Sequence, residues 1–470
     1  MKRTYILISL MVLSFGATAW TQVTTRTVTG TRIGHYRDGA VPLDLSIRPV
    51  EAFVPGISGG YREIVGTGTS TGTFTIPDVP YGYYLLRVGG RYLWTKNTNV
   101  DEDYDSFLRS TEVLASPDTT ITFNLRNLRA WGSNDVLEFI DLNTGGFQLF
   151  TGTEGETKFT GTYPYTSYLA DASQGDVTYL LQLGTQEVGG FPFNAVVRYL
   201  PLPLTQLDGA DTSIAGLMLP VAQTQAFRAN VMGSDIAAQA LAANPGTSLV
   251  STAIALDPYP GNINRGWTVS TPDLVGYDLN ADAPFLTLNA DLGDVMYGNP
   301  FPARYPLFVL YQYEGQTSYL APGATQSGVV TTYAAGYTTA MPTMTSPIAP
   351  MVGTVTNPEI SGGDFFTNRS GIGFSPTLSW IAPNVGTATL YTVRVWDLIV
   401  DAGVTVPTLV ANMQTSAMSM KIPANIMLAG QTYVFQITAD YRPNVNVTLR
   451  PFQLGPTHAT ADVLSGMMQP

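Results

Sequence analysis

Cysteine is absent from the 470 residues, and histidine occurs only at His35 and His458. The first absence excludes disulfides, thiol nucleophiles, thiolate zinc sites and iron–sulfur clusters. It also excludes lipid attachment at a cysteine following a signal peptide. With two histidines at opposite ends of the chain, zinc proteolysis by clustered imidazoles is excluded as well. Charge is scarce: Asp, Glu, Lys and Arg make up 12% of the residues, against ~25% in an average globular protein. After the N-terminus no stretch reaches the ~18 apolar residues of a membrane-spanning helix. Glycine loops running into Lys-Ser or Lys-Thr, which cradle phosphates, are missing too.

What is present argues for folded, exported modules. The chain holds 6 Trp, 25 Tyr and 20 Phe, and a disordered chain has no core in which to bury such rings. Gly (46) and Pro (32) are frequent but follow no repeat period. At ~100–200 residues per domain, the length suits about three domains. The start of the chain has the logic of a secretory signal. Lys2 and Arg3 precede an apolar run over 5–15, and Ala17-Thr18-Ala19 offers a small-x-small cleavage site. The expectation is a mature chain beginning at Trp20, secreted or held at the cell surface. With no disulfides, a bacterial source fits better than a eukaryotic secretory one.

Alternation dominates the pattern. Phe74 and Ile76, then Tyr84, Leu86 and Val88, are apolar at every second position, as are 177–183, 193–199, 307–313 and 391–395. Period two means one buried and one wet face. The predicted fold class is therefore all-β: serial antiparallel β-sandwich domains with at most one or two short helices. One helix is expected with Ser234 as N-cap, running over 236–243 and stopped by Asn244-Pro245-Gly246. Negative charge concentrates in the middle, where 141–345 carries 5 basic against 16 acidic residues. Such a surface repels nucleic acid and anionic lipid. The stretch 340–350 holds three prolines, so 343–349 reads as a linker, and residues 457–470 as a loose tail.

Two stretches resemble known families. Val28-Thr29-Gly30 and the run Gly72-Thr73-Phe74-Thr75-Ile76-Pro77-Asp78-Val79-Pro80-Tyr81-Gly82-Tyr83-Tyr84-Leu85-Leu86 resemble the carboxypeptidase regulatory-like domain, a transthyretin-like sandwich. That resemblance covers 20–126, with 118–125 as closing strand, and implies no activity. Pro376-Thr377-Leu378-Ser379-Trp380, the strand 390–396, and 428–439 are similar to a fibronectin type III domain over 350–456. There Leu428 stands five residues before Tyr433, the spacing of a tyrosine corner, in which the hydroxyl bonds back to main chain. The region 127–342 matches no family by its residues and suits one larger acidic sandwich or two fused ones.

Chemistry is thin. Gly56-Ile57-Ser58-Gly59-Gly60 spells a nucleophile elbow, but it follows Val54-Pro55 in a glycine-rich turn, no helical pattern follows it, and the only later histidine, His458, is in the tail. No catalytic or cofactor-binding residue is assigned. Calcium is the one cofactor left open. Asp101, Asp103 and Asp105 form one candidate loop, and Asp278, Asn280 and Asp282 another, with Asp291 and Asp294 nearby. Each places hard oxygen ligands within a few residues, without the full spacing of the EF-hand. The expected function is non-enzymatic binding or adhesion at or outside the cell surface. The partner is a glycan or protein ligand, no nucleic acid is expected, and specificity falls to the middle region. Two alternatives stand beside it: a secreted polysaccharide-active enzyme with a carboxylate dyad in 127–342, and a structural subunit of a surface assembly.

Overall fold

The computed structural model describes residues 24–56, 60–106, 108–260, 271–277 and 284–470. Strands account for 54% of the protein and helix for 3%, so the all-β expectation holds. The alternating runs become strands, and near the N-terminus their apolar members point inward. In Thr73–Pro80, Phe74 and Ile76 are buried while Thr73 and Thr75 face solvent. After a turn in which Gly82 takes φ +120°, a region open to glycine, Tyr84–Val88 buries Tyr84, Leu86 and Val88.

Several hydrophobic clusters form along the chain. One holds Val28, Phe74, Ile76, Tyr84 and Val100 near the N-terminus. The middle region contributes two, around Phe123, Trp131 and Phe159 and around Phe193, Phe227, Tyr277 and Tyr313. A further cluster gathers Trp380, Val393, Phe435, Ile437 and Val463 near the C-terminus. Phe53, Leu85 and Tyr92 of the N-terminal unit belong to this last cluster as well. The two ends of the chain therefore share a core. Their sheets also join: Arg91–Thr95 pairs in parallel with Val404–Thr415, setting Arg91 beside Asn412, Tyr92 beside Met413 and Leu93 beside Gln414. Further parallel pairs occur at Thr25–Thr31 with Asn99–Asp101 and at Thr120–Arg126 with Asp211–Leu217. The architecture is thus not purely antiparallel.

The structure corrects three local expectations. The segment 118–125 does not close the N-terminal sandwich. Its strand, Thr120–Arg126, lies between Lys158–Pro164 and Asp211–Leu217, and it buries Ile121, Phe123 and Leu125 in the middle region. Residues 457–470 are no loose tail. His458–Leu464 pairs with both Gly328–Thr338 and Tyr433–Tyr441, and Ala461, Val463 and Leu464 are almost fully buried. The helix runs over Gly233–Leu241 and Ser234 does not cap it. Its first amides are satisfied from a distance instead: Gly233 N–H donates to Leu288 O at 2.9 Å, and Ser234 N–H to Asn289 Oδ1 at 3.0 Å. The stretch 343–349 carries no strand, yet Ile348 is buried and bridges to Val231.

The tyrosine corner is formed. Tyr433 is 1% exposed, and its hydroxyl accepts the Leu428 N–H at 2.8 Å. Tyr433→Phe is expected to cost about 1 kcal/mol, the usual loss for one such bond, read as a lower denaturation midpoint. His458 supplies a pH dependence. It is buried against the Tyr337 ring at 4.5 Å, with Nδ1 3.1 Å from the Gly455 carbonyl. Burial lowers its pKa from 6.5 to about 4. A depressed histidine favours the fold at neutral pH and loses that contribution as pH falls from its unfolded value through about 4. Over that window the wild type should therefore lose stability relative to His458→Phe, read as the difference between their melting temperatures at pH 7 and pH 4.5.

Candidate functional site

Three places gather chemistry-bearing side chains. The first lies on the seam between the N- and C-terminal units. Rings at the end of the edge strand Arg91–Thr95 meet the turn before Ser419–Lys421 there. A cleft of about 250 Å³ is lined by Tyr61 and Trp94 from one unit and by Thr377, Ser419, Met420 and Lys421 from the other. Tyr61 is fixed by its hydroxyl, which donates to the Lys421 carbonyl at 3.1 Å. Trp94 is fixed by Tyr83, stacked on it with centroids 5.8 Å apart and planes 9° from parallel. On the far side of Trp94 lies a smaller hollow of about 70 Å³, reached by Tyr83, Lys96, Asn97, Ser416 and Thr448. The hinge-like strand crossing is held by Arg91 over the Phe452 ring at 4.6 Å and by Asn97 Nδ2 donating to Thr448 O.

The second place contains the first candidate calcium loop. Asp101, Asp103 and Asp105 do converge, on a cavity of about 100 Å³ that His35, Arg450 and Gln453 complete. Each carboxylate already faces a protein donor. Asp101 pairs with Arg450 at 3.2 Å, and Asp103 meets His35 Nε2 at 2.9 Å and the Ile33 N–H at 2.8 Å. Asp105 accepts from Gln453 Nε2 at 3.2 Å. Among the described residues, no group of three or more His, Asp or Glu is arranged to hold a metal ion. Between Asp101 and Asp103, Glu102 turns inward and is fully buried. Burial raises its pKa to about 8, against the pull of Arg32 and Arg91. Asp278, Asn280 and Asp282 lie outside the described residues, as do Ser58 and the signal segment. Asp291 and Asp294 both bind Arg228, at 2.6 and 3.0 Å across a strand pair.

The third place is a buried carboxyl cluster in the middle region. Glu138, in Val136–Asp141, is 0% exposed, and neither carboxyl oxygen has a hydrogen-bond partner among the described residues. Asp257, at the end of Ser248–Pro258, accepts from Thr271 Oγ1 at 2.7 Å. The Asp273 carboxyl lies near enough to disfavour ionisation of Asp257. Burial raises the pKa of all three, and Asp273 adds like-charge repulsion at Glu138 and Asp257.

Sequence reasoning found the Asp101 loop and missed the other two places. A glutamate between Leu137 and Phe139 in an apolar run was the available sign of the carboxyl cluster. Trp94 had none, because an aromatic on a strand is ordinarily core. Among the described residues, no helix is long and apolar enough to cross a membrane, a statement that does not bear on β-barrels.

No family model matches the chain, and no curated protein matches it. Solved structures overlap it only loosely. The FN1–FN3 domains of chicken CNTN1 show 9% identity and a TM-score of 0.14, over 95% of this chain and 96% of that one. Escherichia coli alpha-2-macroglobulin activated by porcine elastase shows 10% and 0.13, over 95% and 44%. A Salmonella alpha-2-macroglobulin mutant shows 9% and 0.12, over 91% and 28%. Overlap at this level says nothing about ancestry or activity.

The carboxyl cluster yields a stability test with a definite sign. Groups whose folded pKa is raised favour the fold below their unfolded value and lose that contribution as pH rises through the folded one. Asp257→Asn keeps an acceptor for Thr271 and removes an ionisable group. It should raise stability by ~2 kcal/mol at pH 8, and the gain should shrink at pH 5, as followed by urea denaturation at both pH values.

Proposed function

We propose that this chain is an exported, non-enzymatic binding protein that acts at the cell surface or outside the cell, built from a transthyretin-like, an acidic middle and a fibronectin-like sandwich. The observation that carries this reading is the seam cleft. It is concave, walled by two fixed aromatic rings, rimmed by hydroxyls and backbone of Gly56 and Gly60, and assembled from both ends of the chain. Apolar walls with a few convergent polar groups are what a binding pocket needs.

The carboxyl cluster favours one rival, a polysaccharide-active enzyme using Asp257 and Asp273. A glycosidase pair must flank a substrate. Asp257 is instead packed at 3% exposure, and of the pair Asp273 alone is partly exposed. Incubating the full chain with a panel of cell-wall and extracellular polysaccharides separates the readings. The expected result is saturable retention that Trp94→Ala abolishes, with no new reducing ends released. Release of reducing ends that Asp257→Asn abolishes would replace binding by catalysis.

A further inference from the structure

The seam offers two hollows rather than one, and Trp94 is the wall they share. At about 250 Å³ the larger lies below the ~300–1,000 Å³ of pockets for drug-sized ligands, so it takes one ring-sized group. The smaller admits a second group directly beyond the indole. Flat rings with hydroxyl-bearing rims suit a ligand whose units each have an apolar face and a polar perimeter.

Charge narrows the class further. The chain has 35 acidic against 23 basic residues, and only four of the basic ones are lysines: Lys2, Lys96, Lys158 and Lys421. Two of the four stand on the seam, Lys421 in the larger hollow and Lys96 in the smaller. Lys96 Nζ lies 5.7 Å from the centre of the Tyr83 ring. Among the described residues, no Asp or Glu lines either hollow. In a chain of net charge −12, this is a locally cationic aromatic groove.

From this we infer that the seam binds an acidic oligosaccharide of at least two units, with a uronate ring against Trp94 and its carboxylates directed to Lys421 and Lys96. The inference rests on the binding reading above and names its ligand. Apolar ring faces stack on the indole, as aromatic side chains allow. The lysines act as point charges on carboxylates, so the affinity depends on salt. A proline-rich peptide would also fill an aromatic groove, but the paired cations give it no role for charge.

The test is calorimetric titration of the full chain with tetragalacturonate, with cellotetraose as neutral counterpart and with a proline-rich decapeptide. Tetragalacturonate should bind. Lys96→Ala and Lys421→Ala should each weaken it about tenfold and flatten its salt dependence, a loss equivalent to ~1.4 kcal/mol. Trp94→Ala should abolish it. If that variant melts early, Tyr83→Ala serves in its place, since the Tyr83 ring is 48% exposed and its removal spares the core. Equal binding of cellotetraose, unmoved by the lysine changes, overturns the acidic assignment and leaves a binding protein. Binding of the peptide alone overturns the glycan and likewise leaves the binding reading standing. Failure of all three probes, with no retention on the polysaccharide panel, removes both.

Discussion

Three residue pairs of parallel ladder, Arg91 with Asn412, Tyr92 with Met413 and Leu93 with Gln414, decide how this molecule is assembled. An edge strand presents unpaired N–H and C=O groups that must be covered or satisfied by water. Here the edge of the N-terminal sandwich is covered by the C-terminal one, some 320 residues later in sequence. The pairing brings Tyr92 into the C-terminal core beside Met413 and Val393. It also brings Arg91 over Phe452, Arg450 to Asp101 and Gln453 to Asp105. The seam cleft and the aspartate cavity are both consequences of this junction, since neither sandwich alone supplies all their walls.

Without disulfides, the fold relies on burial, and it tolerates some unfavourable burial along the way. Glu102 and Glu138 are fully enclosed with no hydrogen-bond partner for their carboxyl oxygens among the described residues. An ionised carboxylate in such a position is costly, so the proton is retained instead. His458 makes the opposite adjustment and stays neutral. The two kinds of group pull the pH dependence in opposite directions: acid relieves the carboxyls and charges the histidine. Asp462 belongs with the former, although Thr438 and the Tyr333 N–H both donate to it, at 2.5 and 2.8 Å.

Local features were well marked in the residues. The runs around Phe74 and Tyr84 became strands with the expected faces inward, and Tyr433 found the Leu428 amide five residues upstream. Each of these depends on neighbours within a few residues. The errors came where a segment had more than one partner to choose from. The strand Thr120–Arg126 alternates as a closing strand should, but alternation fixes which face is buried and not which sheet receives it. His458–Leu464 looked loose because it lies at the terminus, yet it fills a central place between two strands. Ser234 is no cap because the helix begins one residue earlier, at Gly233, and Asn289, from a distant strand, accepts the Ser234 amide.

Composition and periodicity by themselves determined that this is a cysteine-free all-β chain with aromatic cores, because side-chain spacing dictates which face of a strand leaves water. They also placed one aspartate loop. Tertiary structure alone decided that the first and last sandwiches pair, that Trp94 stands between two hollows, and that Glu138, Asp257 and Asp273 meet. The reason is physical. Edge pairing is made by backbone groups that every residue but proline carries in full, so no side chain in the sequence names the strand it will join.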